Sequence, residues 1–375
     1  MNGYISEMAH ILKGNIKTAI TRKYDKGDTD LNTLGDFAMR RFLGGIGFLK
    51  KQYPELSPGQ YESMKRFFAR YGGLRSDKYH RAYTYFFGRF SPYFLPEDFH
   101  FNYVDKYMSA REEARYLDNK CYYYRLLSNV KQPELVTMRI GGTWLDSTLK
   151  PVSRQTAAGL ASAESEVVLK RAVNSEEGAG VHFLTGAELE TDFERITSEI
   201  PCDIVLQRPV KQHPDIAALH EQSVNTLRIV SLMTEERVKI YKVCIKIGVG
   251  DSRLDNGASG GIYCGVNPDG TLHDHAIRDD GEVFYTHPTL GYEFAGKKVP
   301  CLKSALKLAR EAHSFLGHFR LISWDIAIDE TGEAVLIEPN FTLGGISLVQ
   351  MCSGPLFGKD TPKILDEVFG AEKRR

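Results

Sequence analysis

No two of the six cysteines, at 121, 202, 244, 264, 301 and 352, stand within four residues of each other. The chain therefore has no Cys-x-x-Cys unit to bind a metal or run dithiol chemistry. Several thiols sit inside apolar runs such as VKIYKVCIKIG, which suits buried, reduced cysteines in a cytoplasmic protein. No stretch of about 18 apolar residues occurs, so no membrane-spanning helix is expected. The opening MNGYISEMAHILKGN brings Glu7 early and has no long apolar core, so it does not read as a secretory leader. Net charge is absent too. The 48 basic residues balance 48 acidic ones, which argues against nucleic acid as a partner held by a broadly basic surface. Repeats and low-complexity segments are also lacking.

What the 375 residues do contain is 42% hydrophobic and 26% charged side chains, the mixture of a globular protein. The length suggests two or three domains at about 100–200 residues each. Residues 1–100 read as helical. ISEMAHILKGNIKTAI, LGDFAMRRFLGGIGFLKKQY and QYESMKRFFARY space their apolar residues by three and four, and Pro54, Pro58, Pro92 and Pro96 punctuate them. The aromatic stretch Tyr79–Phe101 reads as a packed helix face rather than a base-stacking platform. From about residue 115 the texture becomes short β-branched runs between glycine-rich turns: 166–170, 180–184, 203–207, 226–234 and 237–248. A helix is predicted after Pro300, then strands at 321–329 and 332–340 joined by Glu330-Thr331-Gly332. Strands and helices mix without regular alternation, so the class is α+β. The expected divisions are 1–114, mainly helical; 115–210; and 211–375.

Four constellations carry chemistry. Glu338 and Asn340 lie two apart on one strand and so point the same way, and a hairpin brings Asp325 beside them. Two carboxylates and an amide oxygen are hard ligands suited to Mg²⁺. An ordinary exposed hairpin would show the same residues, so the rest of the chain decides. Lys170 ends an apolar strand just before the loop AVNSEEGAGV, where Glu177, Gly178 and Gly180 fall. Such a loop lets backbone N–H groups approach phosphate while a lysine adds charge. Lys120 precedes a helix-like run. The strand DIVLQRPV leads through Gln207, Arg208 and Val210 into an extended segment able to read a base edge.

Together these residues resemble the ATP-grasp superfamily from about residue 115 to 350. The Asp325…Glu338-x-Asn340 pattern resembles its magnesium signature, with the spacing of the D-alanine–D-alanine ligases. Lys120 and Lys170 resemble its two phosphate-contacting lysines, and Gln207, Arg208 and Val210 its adenine hinge. VNTLRIV, Lys246 and RLDNGASGG are similar to the ribosomal-protein glutamate ligases. There Arg228, Lys246, Arg253 and Asn256 would serve catalysis, while Gly260 and Gly261 line the acceptor site. The pattern SVNTLRIV–DNGASGGI–IEPN is most similar to the sugar-transfer-associated ATP-grasp proteins. Departures are Gln207 for the commoner Glu, and Asn225 where an acidic residue often holds ribose, with His213 or Asp215 as replacements.

The resemblance implies an ATP-grasp fold of two α+β subdomains clasping ATP behind the helical N-terminal region. It implies two Mg²⁺ ions, with Mn²⁺ as a substitute. The implied reaction turns a carboxylate into an acyl-phosphate and passes it to an amine. FTLGGISL, with Thr342, Gly344 and Gly345, would orient the acceptor. The carboxylate and amine would be an amino acid and a uronic acid in cell-surface polysaccharide synthesis, with glycan-synthesis enzymes as associates. A kinase of sugar or polyol hydroxyls, or a nucleotide-binding scaffold, are the alternatives. Removing Asp325 or Glu338 is expected to cost turnover with little loss of folding.

Overall fold

The computed structural model describes residues 47–74, 76–109, 114, 117, 119–173, 180–342 and 344–372. The helices expected before residue 47, and Glu177 and Gly178, lie outside the described residues.

The first described helices are α1 (Pro58–Ala69) and α2 (Lys78–Phe87). Ser57 and Gln60 form a capping box ahead of α1, with Pro58 at its first turn, which satisfies N–H groups that a helix start leaves orphaned. Helical residues 97–108 follow, their middle six, His100–Asp105, wound as π-helix. The rings of Tyr79–Phe101 interlock: Phe68–Phe99, Tyr83–Phe94 and Phe87–Phe94 pack at centroid distances of 5.1, 5.3 and 6.1 Å. The packed-face reading of this stretch holds.

Two antiparallel sheets follow, consistent with the α+β class. The first runs β3-β2-β1-β6-β4-β5, with β1 (Leu135–Ile140), β2 (Thr143–Asp146), β3 (Pro151–Val152), β4 (Glu166–Arg171), β5 (Val181–Thr185) and β6 (Ile204–Gln207). Helix α3 (Lys120–Leu126) precedes it, and α4 (Arg154–Ser162) and α5 (Gly186–Ser198) lie within it. Val167, Leu169, Ile204 and Leu206 pack on α4 and α5 through Ala157, Ala161, Leu189 and Phe193. Alternation then turns Val168, Lys170, Val205 and Gln207 to the other face.

The second sheet runs β11-β10-β9-β8-β7-β12-β13. Its strands are β7 (Leu227–Met233), β8 (Val238–Ile247), β9 (Ile262–Val266), β10 (Leu272–Ile277), β11 (Val283–Phe284), β12 (Leu321–Ile328) and β13 (Ala334–Asn340). One face carries Ile229, Ile245, Trp324 and Ile326 and is covered by α6 (Leu302–Ser314) through Ala305, Leu308 and Ala312. Towards β8's start the opposite face, with Val230, Leu232 and Cys244, is covered by α1, α2, α7 (Ser347–Ser353) and α8 (Thr361–Glu372). The strands read at 166–170, 203–207, 226–234, 237–248 and 321–340 are present within a residue or two. The β1–β3 strands and β9–β11 had no counterpart in the sequence reading.

Candidate active site

Sheet register assembles the charged cluster. Asp325 on β12 has Glu338 of β13 as partner on one side and Arg228 of β7 on the other. Partners across a ladder point to the same face, so three charges from three strands stand in one row. Lys246 joins from β8. Arg228 grips Asp325 with two bonds, Nε–Oδ1 at 2.7 Å and a second nitrogen to Oδ2 at 3.1 Å. Lys246 Nζ lies 3.1 Å from Asp325 Oδ2 and 3.5 Å from Asp255 Oδ1. Burial alone would push the Asp325 carboxyl up. Arg228 and Lys246 outweigh it and hold it down at about 2.

Asp325 is only 6% exposed. The expectation that its removal spares folding is therefore corrected: deletion would strand Arg228 in the interior and leave Lys246 with Asp255 alone. Glu338 differs, with a side chain 28% exposed and Lys120 Nζ at 2.7 Å.

Asp255 was not singled out from the sequence. It accepts from the Thr226 N–H at 2.9 Å and the Thr226 hydroxyl at 2.5 Å. Gly261 makes this possible, since a Cβ there would sit 2.2 Å from the Asp255 carbonyl oxygen. The neighbouring Gly260 takes φ +84°, a left-handed turn suited to glycine. Asn256 accepts from the Ser259 N–H at 3.0 Å, so its amide shapes this turn.

From the first sheet, Lys170 and Gln207 face the cluster; Lys170 pairs in register with Val205, and Val168 with Gln207. Burial, reinforced by the Lys120 ammonium, lowers the Lys170 amine to about 8 despite Glu338 and Asp255. Gln207 donates to the Tyr124 hydroxyl at 2.5 Å, while its own carbonyl oxygen is buried with no hydrogen-bond partner. An orphaned acceptor at the end of a strand is what an amino-bearing base would satisfy.

Other expected contacts are placed elsewhere. Asn225 is 2% exposed; its amide donates to the Gln212 side chain and the Ile216 and His220 carbonyls, and its oxygen accepts from Gly248 N–H. The amide is spent on holding the 212–225 loop, and the ribose expectation gives way. Arg208 turns outward to Glu164 and Glu134. Val210 lies just past it, partly buried, and Asp215 is exposed beside His213. Arg253 forks onto Glu166 at 2.6 and 2.7 Å and stacks 3.7 Å from the centroid of Phe183. It thus bolts the loop after β8 to β4 and β5 of the other sheet rather than joining the charged row. Replacing it with alanine should leave melting nearly unchanged, because exposed pairs contribute about 0–1 kcal/mol.

Asn340 donates to the Ser323 carbonyl at 3.2 Å. Thr342, Gly344 and Gly345 follow it on the way to α7. The Ile346 and Ser347 N–H groups at the start of α7 donate to Glu97, at 2.8 and 3.3 Å, and Tyr83 shares a hydrogen bond with Ser347 at 2.9 Å. The start of α7, and with it the end of the preceding loop, is thus fastened to the N-terminal helices. No sequence signal marked Glu97.

Two sheets face each other across four cations, Lys120, Lys170, Arg228 and Lys246, and three carboxylates, Asp255, Asp325 and Glu338. The family model described as sugar-transfer-associated ATP-grasp matches residues 98–361. The chain belongs to that family. Among solved structures, this ATP-grasp chain is similar to an L-amino acid ligase from Bacillus licheniformis at 17% identity and TM-score 0.37, covering 69% of this chain and 48% of that one. It therefore spans about half of that ligase. The D-alanine-D-alanine ligase from Coxiella burnetii matches at 10% identity and TM-score 0.42, covering 71% and 62%. The biotin carboxylase domain of a 2-oxoglutarate carboxylase from Hydrogenobacter thermophilus, in complex with ADP and magnesium, matches at 12% and 0.43, covering 70% and 47%. Curated proteins gave no match.

Glu338 and Asn340 share a face with Asp325 and are hard oxygen donors of the kind that suits Mg²⁺. Both Asp325 oxygens are held by Arg228 and Lys246, Glu338 is the more open carboxylate, and the Gln207 side-chain oxygen is buried without a partner.

Proposed function

We propose that this ATP-grasp protein is an ATP- and Mg²⁺-dependent ligase that activates a carboxylate as an acyl-phosphate and joins it to an amine. The observation carrying the reading is the Lys120–Lys170 pair, set across from Glu338 and Asp325 with the Lys170 amine held near 8. A polyphosphate beside Lys170 would favour its charged form. Glu338, Asn340 and Asp325 would hold the magnesium, which would offset charge on the β- and γ-phosphates.

Lys120 and Lys170 would hold the phosphates in line, and the Gln207 carbonyl would accept from the adenine amino group. Arg228, fixed by Asp325, would stabilise charge growing on the transferred group. A substrate carboxylate oxygen attacks the γ-phosphorus and ADP leaves; the amine then attacks the acyl carbon and phosphate leaves. Positioning in a site closed to water supplies most of the rate. A uronic acid and an amino acid are the substrates we favour, on the family's association with sugar transfer alone.

The test pairs melting with phosphate release. Mg-ATP should raise the melting temperature, EDTA should shrink the shift, and a panel of carboxylates and amines should release phosphate only as pairs. A stable phosphoester instead of an amide would make the protein a kinase. No shift with Mg-ATP, alone or with the panel, would sink the nucleotide site.

The pH dependence is specific. The Lys170 amine sits below its ordinary 10.5, at about 8. Its charged form is therefore disfavoured in the folded protein, at a stability cost present below pH 8 that fades as pH rises towards 10.5. Phosphate binds the charged form. Affinity for Mg-ATP should be flat up to about pH 7.5 and then weaken by up to tenfold per unit, and Lys170→Arg should flatten the profile. Calorimetric titration across pH 7–9.5 measures this.

A further inference from the structure

The face that carries Lys246 continues along β8 to Lys242, four residues away or about 13 Å at the usual strand rise. Between them Cys244 is fully buried and α7 lies over β8 and β9, so the floor is filled. Beyond the C-terminal end of α7 the surface opens again into a cleft of about 320 Å³.

Arg89, Lys242 and Lys359 line this cleft with Phe87, Phe90 and Tyr93, and its described lining holds no acidic side chain. Among the described residues none of the three cations forms an ion pair. Asp360, next to Lys359, is taken by Lys239 and the Tyr241 hydroxyl. The walls are fixed. Gly354 has φ +78°, and a Cβ there would meet the Phe87 ring at 2.7 Å. The Ser353 hydroxyl donates to the Val243 carbonyl at 3.1 Å, and Lys242 donates to the Ser353 carbonyl. The Arg89 guanidinium lies 5.5 Å from the Phe87 centroid.

Capping α7 accounts for Lys242, because cations favour helix C-termini. It leaves unexplained why Arg89 and Lys359 share the same opening with no carboxylate. Burial, then the nearby Arg89, draws the Lys242 amine down to about 8, so the fold bears a cost that an anion would offset. Three cations suit a doubly charged phosphate better than a single carboxylate. The cleft leaves room for a ring against the aromatic wall.

We infer that this cleft is a second binding site, separate from the nucleotide site, for a small phosphate-bearing molecule whose ring lies on Phe87, Phe90 and Tyr93. The site stands independently of the ligase reading.

Calorimetric titration of the full chain with glucose 1-phosphate and with inorganic phosphate, both in saturating Mg-ADP, tests it. Glucose 1-phosphate should bind at least tenfold tighter than inorganic phosphate. Lys242→Met and Arg89→Gln should each weaken it by tenfold or more, with the Mg-ATP melting shift intact. Because Lys242 also caps α7, Lys242→Met should melt lower than the parent, and Arg89→Gln, which leaves that cap in place, should weaken binding without that drop. Lys170→Gln should leave sugar-phosphate binding unchanged. Running the titration in that variant keeps the result readable even if the chain binds no nucleotide. Heat that survives Lys242→Met and vanishes in Lys170→Gln, or no heat with either probe, would overturn the second site. Equal affinity for the two probes would overturn the role of the aromatic wall.

Discussion

Asp325→Ala is expected to abolish turnover and to lower stability by about 3–5 kcal/mol, the range for breaking a buried ion pair. For a chain of this size that is about 4–6 °C in melting temperature. The reason is local. Asp325 is the only carboxylate bonded to Arg228 among the described residues, and Lys246 shares it. Without it the guanidinium sits in the sheet row with nothing to compensate its desolvation. Asp325→Asn keeps the shape and should lose as much activity with less of the melting drop. Scanning calorimetry beside a phosphate-release assay separates the two effects. If Asp325→Ala melts with the parent, the ion-pair row does not hold the sheet together as described.

Glu338→Ala should behave in the opposite way. Its partner is Lys120, and its side chain is more than a quarter exposed. Removing it should cost less unliganded stability than Asp325→Ala, because of its pair only Lys120 is buried. The larger loss should appear with ligand. Nucleotide at a hundred times its Kd stabilises by about 2.7 kcal/mol, and the magnesium-dependent part of that shift should disappear along with at least a hundredfold in turnover. Glu338→Ala with a full Mg-ATP shift would remove Glu338 from the metal site. The contrast with Asp325 is the informative result, because a sequence pattern assigns both carboxylates one role while burial separates them.

That contrast marks where sequence reading ran out. Alternation alone placed Glu338 and Asn340 on one face, and the hairpin placed Asp325 beside them; the register bears this out residue for residue. Lys170 was readable because a charged residue closing an apolar strand is locally conspicuous. Asp255 and Glu97 were not, because each acts through partners distant in the chain: Lys246 and Thr226 for one, Ile346 and Ser347 for the other. Asn225 misled for the same reason. Only the folded loop shows its amide saturated. The β2, β3 and β11 strands were missed because they are short, at four, two and two residues; β9 and β10 were missed because Gly265 and the charged HDH run of β10 break the apolar pattern.

Helices α1 and α2 precede the stretch matched by the family model, which begins at residue 98. Yet their rings share one apolar cluster with β7 and β8, and Tyr83 of α2 reaches the start of α7. The front of this protein is therefore not a cassette. A chimaera that grafted another protein's leading segment onto residue 98 would expose an oily sheet face and loosen the loop that follows Glu338 and Asn340. Swapping of that segment between relatives should succeed only when the α7 and α8 surfaces travel with it, so the two ends of the chain are bound to change together.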